Sequence, residues 1–178
     1  MTLKERYQKN IRQALAQDLG ISNALAVPRV ASITVAVGLS HGLKDVKFLD
    51  VAESVLSRIT GQRPVRTKAK QSISNFKIRA GMIVGMRVTL RGQRMWDFLD
   101  KLVNVTFPRI RDFRGISATQ VDGQGNISVG FREFLPFPEI RPDEVERIHG
   151  LQVTVTTTAR DKKEGMALLV ALGFPFKR

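Results

Sequence analysis

Ten cationic side chains occupy the stretch from Arg58 to Arg94 with no Asp or Glu among them: Arg58, Arg63, Arg66, Lys68, Lys70, Lys77, Arg79, Arg87, Arg91 and Arg94. The nearest acids are Glu53 and Asp97. Solvated surfaces usually mix charge signs, because mixing relieves repulsion. A run from residue 54 to residue 96 without a carboxylate therefore points to an outside anion as the counter-charge. Guanidinium forks fit phosphate oxygens in bidentate fashion. The chain as a whole agrees: a formal net charge of +13 and a pI near 10.9 favour nucleic acid or an anionic membrane surface as partner.

Other chemistries find little support. With no Cys, disulfides, thiolate zinc sites and a Cys nucleophile are excluded. His41 and His149 are too few for a histidine-rich metal site and are read as surface or core residues. Asp143, Glu144 and Glu146 suit the start of a helix, where carboxylates complement the dipole, better than a cation site. Gly38–Lys44 lacks the spacing of a phosphate-binding loop and reads as a turn. No nucleophile motif or catalytic carboxylate pair is present, so no catalytic residue, metal or cofactor is expected. A nuclease using Asp112, Asp122 or Asp143 as metal ligand is the enzymatic alternative, and a regulatory RNA-binding module the non-catalytic one. Phe76, within Ser74-Asn-Phe-Lys-Ile-Arg79, could stack on an unpaired base or anchor its loop to the core.

These residues need elements to hold them. Leu3, Tyr7, Ile11, Leu15 and Leu19, each four apart, form a slowly drifting helical stripe over residues 3–19. Ala31, Ile33, Val35, Val37 and Leu39 alternate as a strand over 29–39, and Ser40–Gly42 reads as a turn. Asp45 is placed to cap a helix over 46–60 that turns Phe48, Leu49, Ala52, Val55, Leu56 and Ile59 inward and stops at Gly61. A short strand at 65–69 leads into an exposed basic loop over 70–81. A second strand follows through Val84, Met86, Val88 and Leu90, then a helix over 93–104 that Pro108 closes. Met82, Met86, Met95 and Trp96 have core-like spacing. Residues 107–126 read as a long irregular connection ending in the turn Asp122–Asn126. Strands are expected at 127–131 and 151–158, an extended kinked stretch at Pro136–Pro142, one or two helical turns at 143–148, and a helix over 162–172 closed by Gly173. On the strands, Arg87, Thr89 and Arg91 share one face as a basic stripe on the open sheet face, and Arg66 and Lys68 within 65–69 are expected to share a face in the same way, both stripes being candidates for phosphate contact.

Strands without regular βαβ alternation imply an α+β class: a mostly antiparallel sheet with helices packed on one face and a long basic loop. The free sheet face is then open to a ligand. At 43% hydrophobic and 25% charged residues, the composition is that of a globular domain, read as a single one over 1–178 with a mobile loop at about 70–82. No apolar run approaches the roughly 18 residues of a membrane span, and the N-terminus has no signal-peptide core, so the expected address is the cytoplasm.

Beyond these patterns, Leu56-Ser-Arg-Ile-Thr-Gly-Gln-Arg-Pro-Val-Arg-Thr-Lys-Ala-Lys-Gln-Ser72 closely resembles the signature of the family of ribosomal protein five of the large subunit. The resemblance continues in order through Asn75–Met82, Val88–Met95, Phe98–Leu102, Pro108–Gly115, Asp122–Asn126, Phe137–Ile140 and Gly173–Phe176, covering essentially the whole chain in the form of the bacterial branch. It implies binding of 5S rRNA, attachment of that RNA in the central protuberance, contact with large-subunit rRNA and P-site tRNA, and a bridge to small-subunit ribosomal protein thirteen. No homo-oligomer is implied. Carried over residue by residue, the resemblance together with the charge pattern makes Arg29, Arg63, Arg66, Phe76, Arg79, Arg87, Thr89, Arg91 and Arg94 candidates for 5S rRNA. Lys68, Lys70, Gln71, Ser72, Asn75 and Lys77 fall in the tRNA-facing loop. Arg109, Arg111, Asp112, Phe113 and Arg114 fall in the bridge region, to which Phe137–Glu146 also belongs. Ser32, Ala36, Ile83, Gln124 and the pair Arg141-Pro142 depart from the family pattern: Ser32 loses a Lys, Ala36 an Asn, and Ile83 a Pro that would stiffen the loop's exit.

Overall fold

A computed structural model describes residues 1–39, 46–141 and 148–177. The expected turn at 40–42, the Asp45 cap and the helical turns at 143–148 lie outside them, apart from Ile148. The N-terminal helix runs as α1 (Leu3–Arg6), a π turn (Tyr7–Ile11) and α2 (Arg12–Asp18). Thr2 opens it with a reciprocal cap: its hydroxyl accepts the Glu5 N–H while the Glu5 carboxylate accepts the Thr2 N–H. The π turn explains the four-residue stripe. A step of four over-rotates on an α-helix, and a turn that winds less per residue takes back the drift. Leu3, Tyr7, Ile11 and Leu15 are all buried, and Leu19, beyond the helix, is half-buried.

Next come β1 (Val30–Gly38), α3 (Val46–Thr60), β2 (Val65–Lys68), β3 (Ile83–Leu90) and α4 (Gly92–Lys101). After a second π turn (Leu102–Thr106) follow α5 (Phe107–Arg109), β4 (Ile127–Phe131), β5 (Leu151–Thr157) and α6 (Lys162–Ala171). The five strands form one antiparallel sheet in the order β2-β3-β1-β5-β4, so the class is α+β as expected. Burial alternates along the strands: Ile33, Val35 and Val37 on β1, Met86, Val88 and Leu90 on β3, and Leu151, Val153 and Val155 on β5 are covered. Ala31 is the exception: it is exposed, and Val30 is buried instead. The six apolar positions anticipated on α3 are all buried.

Three expectations need correction. The helix that begins at Gly92 does not stop at 104 but continues to Arg109, because the π turn carries it to Pro108; the Phe107 N–H reaches back to the Leu102 carbonyl. Residues 107–126 are more ordered than an irregular connection, with a 3-10 turn at Ala118–Gln120 and a parallel bridge between Ile116 and Phe176. The proline-rich stretch is not extended within the described residues: Phe137 and Ile140 donate to the carbonyls of Phe134 and Phe137, giving successive turns that bury all three side chains. Fully burying a side chain of this kind contributes about 1.5–3 kcal/mol, more than the bare stretch could gain by staying extended in water.

The chain divides into two compact units, one of Met1–Ile33, Leu90–Val129 and Thr154–Arg178, the other of Thr34–Thr89 and Gly130–Val153. In the first, the Asp122–Asn126 turn is a packing device. Asp122 Oδ1 accepts the N–H groups of Gln124 and Asn126, and the Asn126 side chain accepts the Thr157 N–H. Gly125, at φ +77°, lies so close to α6 that a Cβ there would come within 2.8 Å of the Gly165 Cα. Asp161 caps α6 by accepting the Glu164 N–H at 2.7 Å. In the second unit His149 is buried between Phe48 and Phe134, with ring centroids 5.9 and 4.7 Å away. Its Nδ1 lies 3.2 Å from the Gly150 carbonyl, and its Nε2 has no partner among the described residues.

These contacts set two expectations for stability. Gly165→Val should cost about 1–3 kcal/mol in denaturant unfolding, since neither glycine backbone can retreat. Burial pushes the His149 imidazole below its ordinary value near 6.5, with the Gly150 carbonyl opposing weakly. The unfolded chain therefore takes up this proton first. Stability is full above the ordinary value and falls as pH drops below it towards the lowered folded-state value. Replacing His149 by Phe should flatten that part of the pH profile.

Candidate nucleic-acid interface

Strand β2 pairs antiparallel with β3: Val65 opposite Arg87, Arg66 opposite Met86, Thr67 opposite Gly85, and, after a register shift, Lys68 opposite Ile83. Opposed residues on a ladder share a face. Arg87 and Thr67 therefore lie on the open face with Gly85; the extra residue at the shift, Val84, is on β3, so β2 keeps its own alternation. Arg66 does not join them. It shares its face with Met86, which is 1% exposed, and so projects on the α3 side. The expectation of an Arg66 stripe open to phosphate like that of Arg87 is thus corrected by the register.

On that side Arg66 meets carboxylates that the linear reading left outside the basic stretch. Its Nε and Nη2 donate to Glu53 Oε2 at 2.9 and 2.6 Å, and Nη2 also reaches Asp50 Oδ1 at 3.1 Å. Arg63 donates through Nε to Glu53 Oε1 at 3.0 Å. Hydrogen bonds from Arg66, then Arg63, hold the Glu53 carboxyl below the usual carboxylate range. Asp50 and Glu53 are three residues apart on α3, hence on one helix face. That spacing, beside the inward set of α3, was the available sequence signal for this cluster.

The open face around Gly85 forms a shallow depression lined by Ala36, Thr67, Arg87 and Gln152. Glycine is required at its floor, because a Cβ on Gly85 would stand 2.8 Å from the Val37 carbonyl oxygen. Arg87 and Lys68 are exposed, and Thr89 is half-buried. Ala36 borders the depression, and Ile83 opens β3 opposite Lys68.

The basic loop has its own backbone frame. Ala69 N–H donates to the Met82 carbonyl and Gly81 N–H to the Ala69 carbonyl at the neck. Ile73 and Ile78 exchange two N–H···O bonds further out. A 3-10 turn at Ser74–Phe76 and a left-handed Lys77 (φ +54°) close the tip. This small hairpin leaves Lys70, Gln71, Ser72, Asn75, Phe76, Lys77 and Arg79 exposed. Phe76 is 70% exposed, so it is not packed on the core.

The remaining candidates belong to the first unit. Arg29, Arg91 and Arg94 are exposed there. Arg29 borders a groove floored by Tyr7 and Trp96, and its backbone N–H is fixed by the Thr158 hydroxyl. The Arg109–Arg114 segment bends at Asp112, which has φ +52°, and Phe113 stacks on Phe107 at 5.6 Å. That packing leaves Arg109, Arg111 and Arg114 exposed. Asp122 has both carboxylate oxygens occupied by its own turn. No group of three His, Cys, Asp or Glu residues that could hold a metal occurs among the described residues.

An exposed loop tip predicts a clean separation of effects: Phe76→Ala should leave thermal stability within about 0.5 kcal/mol of wild type, as read by calorimetry, whereas a core-anchoring Phe would cost several-fold more.

Two family profiles match the chain, one described as ribosomal protein L5 over residues 23–79 and one as the C-terminus of the same ribosomal protein family over residues 83–176. A large ribosomal subunit protein uL5 from Anaeromyxobacter sp. (strain Fw109-5) is 49% identical over 99% of this chain and 98% of its own length. The uL5 protein of Francisella tularensis subsp. novicida (strain U112) is 50% identical over 98% of both chains. With two profiles covering most of the sequence and end-to-end identity near one half, the chain belongs to the bacterial uL5 family of large ribosomal subunit proteins.

Proposed function

We propose that this chain binds 5S rRNA and helps seat it in the central protuberance of the large ribosomal subunit. Its role is that of a structural ribosomal protein, and in bacteria that places it in the cytoplasm. The observation that carries the RNA reading is the second unit's exposed basic surface: Arg87 on the open face of β2–β3, Lys68 exposed where β2 ends, and Arg79 at the base of a loop whose Phe76 is exposed. An exposed aromatic among cations suits an unstacked base, and the strand cations suit the phosphates beside it. Arg29, Arg91 and Arg94 extend the cationic supply in the first unit.

The loop tip supports a second contact. Its cations and amides, Lys70, Gln71, Asn75 and Lys77, face solvent on a frame closed at its neck, which suits docking against the P-site tRNA backbone. The Arg109–Arg114 turn, rigidified by Phe113 on Phe107, is the proposed contact for small-subunit protein thirteen.

If about six phosphates are neutralised, the logarithm of 5S rRNA affinity should fall with the logarithm of salt concentration at a slope near about −5. Footprinting of 5S rRNA should show protections that Arg79→Ala and Phe76→Ala weaken locally. In a gradient the protein should migrate with the large subunit. A flat salt response, or exclusion from that peak, would sink the reading and favour a free regulatory RNA-binding protein.

A further inference from the structure

We infer that Glu53 is a positioning residue for RNA, holding the Arg63 guanidinium with its phosphate-binding edge turned outward. The inference rests on the RNA-binding reading above. Two arginines share the Glu53 carboxylate, but they use it differently. Arg66 commits Nε and Nη2 to Glu53 and Asp50, and its side chain is 38% exposed. Arg63 commits only Nε, to Glu53 Oε1, and its side chain is 86% exposed. Its two terminal nitrogens bond nothing among the described residues. Those nitrogens form the edge that grips two phosphate oxygens in a bidentate pair.

The carboxylate is well built for the task. The Glu53 side chain is only 16% exposed, one oxygen is fixed by Arg66 at 2.6 Å, and the other is left for Arg63. A long, exposed arginine ordinarily loses rotamer freedom when it captures a phosphate. Anchoring Nε beforehand meets part of that loss in the free protein. Glu53 also competes electrostatically with phosphate, so the two effects oppose each other. Orientation prevails here because Arg66 and Asp50 leave the cluster balanced: two guanidiniums face two carboxylates, and an arriving phosphate meets at Arg63 an edge whose two terminal nitrogens are both uncommitted among the described residues.

The test is a double-mutant cycle on the full chain with a 5S rRNA transcript, measuring affinity across a salt series well below each variant's melting temperature. Glu53→Gln should bind about 3–10-fold more weakly with an unchanged salt slope, since no cation is lost. Arg63→Ala should bind more weakly with the slope shallower by about one. Arg63→Lys, which keeps the charge without the fork, should lose affinity at unchanged slope. In the Arg63→Ala background, Glu53→Gln should have no further effect on binding. Tighter or unchanged binding by Glu53→Gln would overturn the inference, as would a loss that persists without Arg63, which marks a merely structural role. Absence of 5S rRNA binding by the wild-type chain would instead overturn the functional reading, and this inference with it.

Discussion

An antiparallel ladder commits opposed residues to the same face, and the pairing of β2 with β3 commits the cations of this chain accordingly. Placing Arg66 across from Met86 sends one guanidinium towards α3. Placing Val65 and Thr67 across from Arg87 and Gly85 leaves a shallow, glycine-floored surface with Arg87 free. Lys68, exposed at the end of β2, adds a cation just where the basic loop begins. A slip of one residue would exchange these roles, turning Arg66 to the open face and taking it away from the α3 carboxylates.

Charge sorting follows from that constraint. Cations held against carboxylates orient and stiffen a corner of the second unit, and surface pairs of this kind add little to stability by themselves. Cations left unpaired retain the full attraction for a polyanion. The loop belongs to the latter group. Its backbone groups bond one another across the neck and the Ile73–Ile78 bridge, so its side chains are left for solvent or a partner. Phe76 at 70% exposure is the clearest sign, because burying a phenyl ring is normally worth far more than any local gain from exposing it.

The first unit solves a different problem with backbone proximity. Gly125 against Gly165 lets the Asp122–Asn126 turn dock on α6 and receive Thr157, so the end of β5 is pinned without a bulky contact. Phe107 joins Phe113 and Phe174 beneath the Arg109–Arg114 turn, giving a basic segment a rigid base.

Much of this was legible in the amino-acid order. Period-four and period-two apolar patterns marked the N-terminal helix, α3 and the strands, because burial enforces the repeat of each backbone geometry. The acid-free stretch marked a polyanion partner, and ordered motifs pointed to the family. What only the tertiary structure decided was which cations are available. Glu53 and Asp50 bounded the basic stretch from outside in sequence, yet folding brings α3 back onto β2 and places them against Arg63 and Arg66. The continuation to Arg109 of the helix that begins at Gly92 and the turns around Phe134 and Phe137 were hidden for a similar reason. Local rules treat proline as a stop, whereas a π turn or a buried aromatic can outweigh it once the surrounding chain supplies contacts that no window of sequence contains.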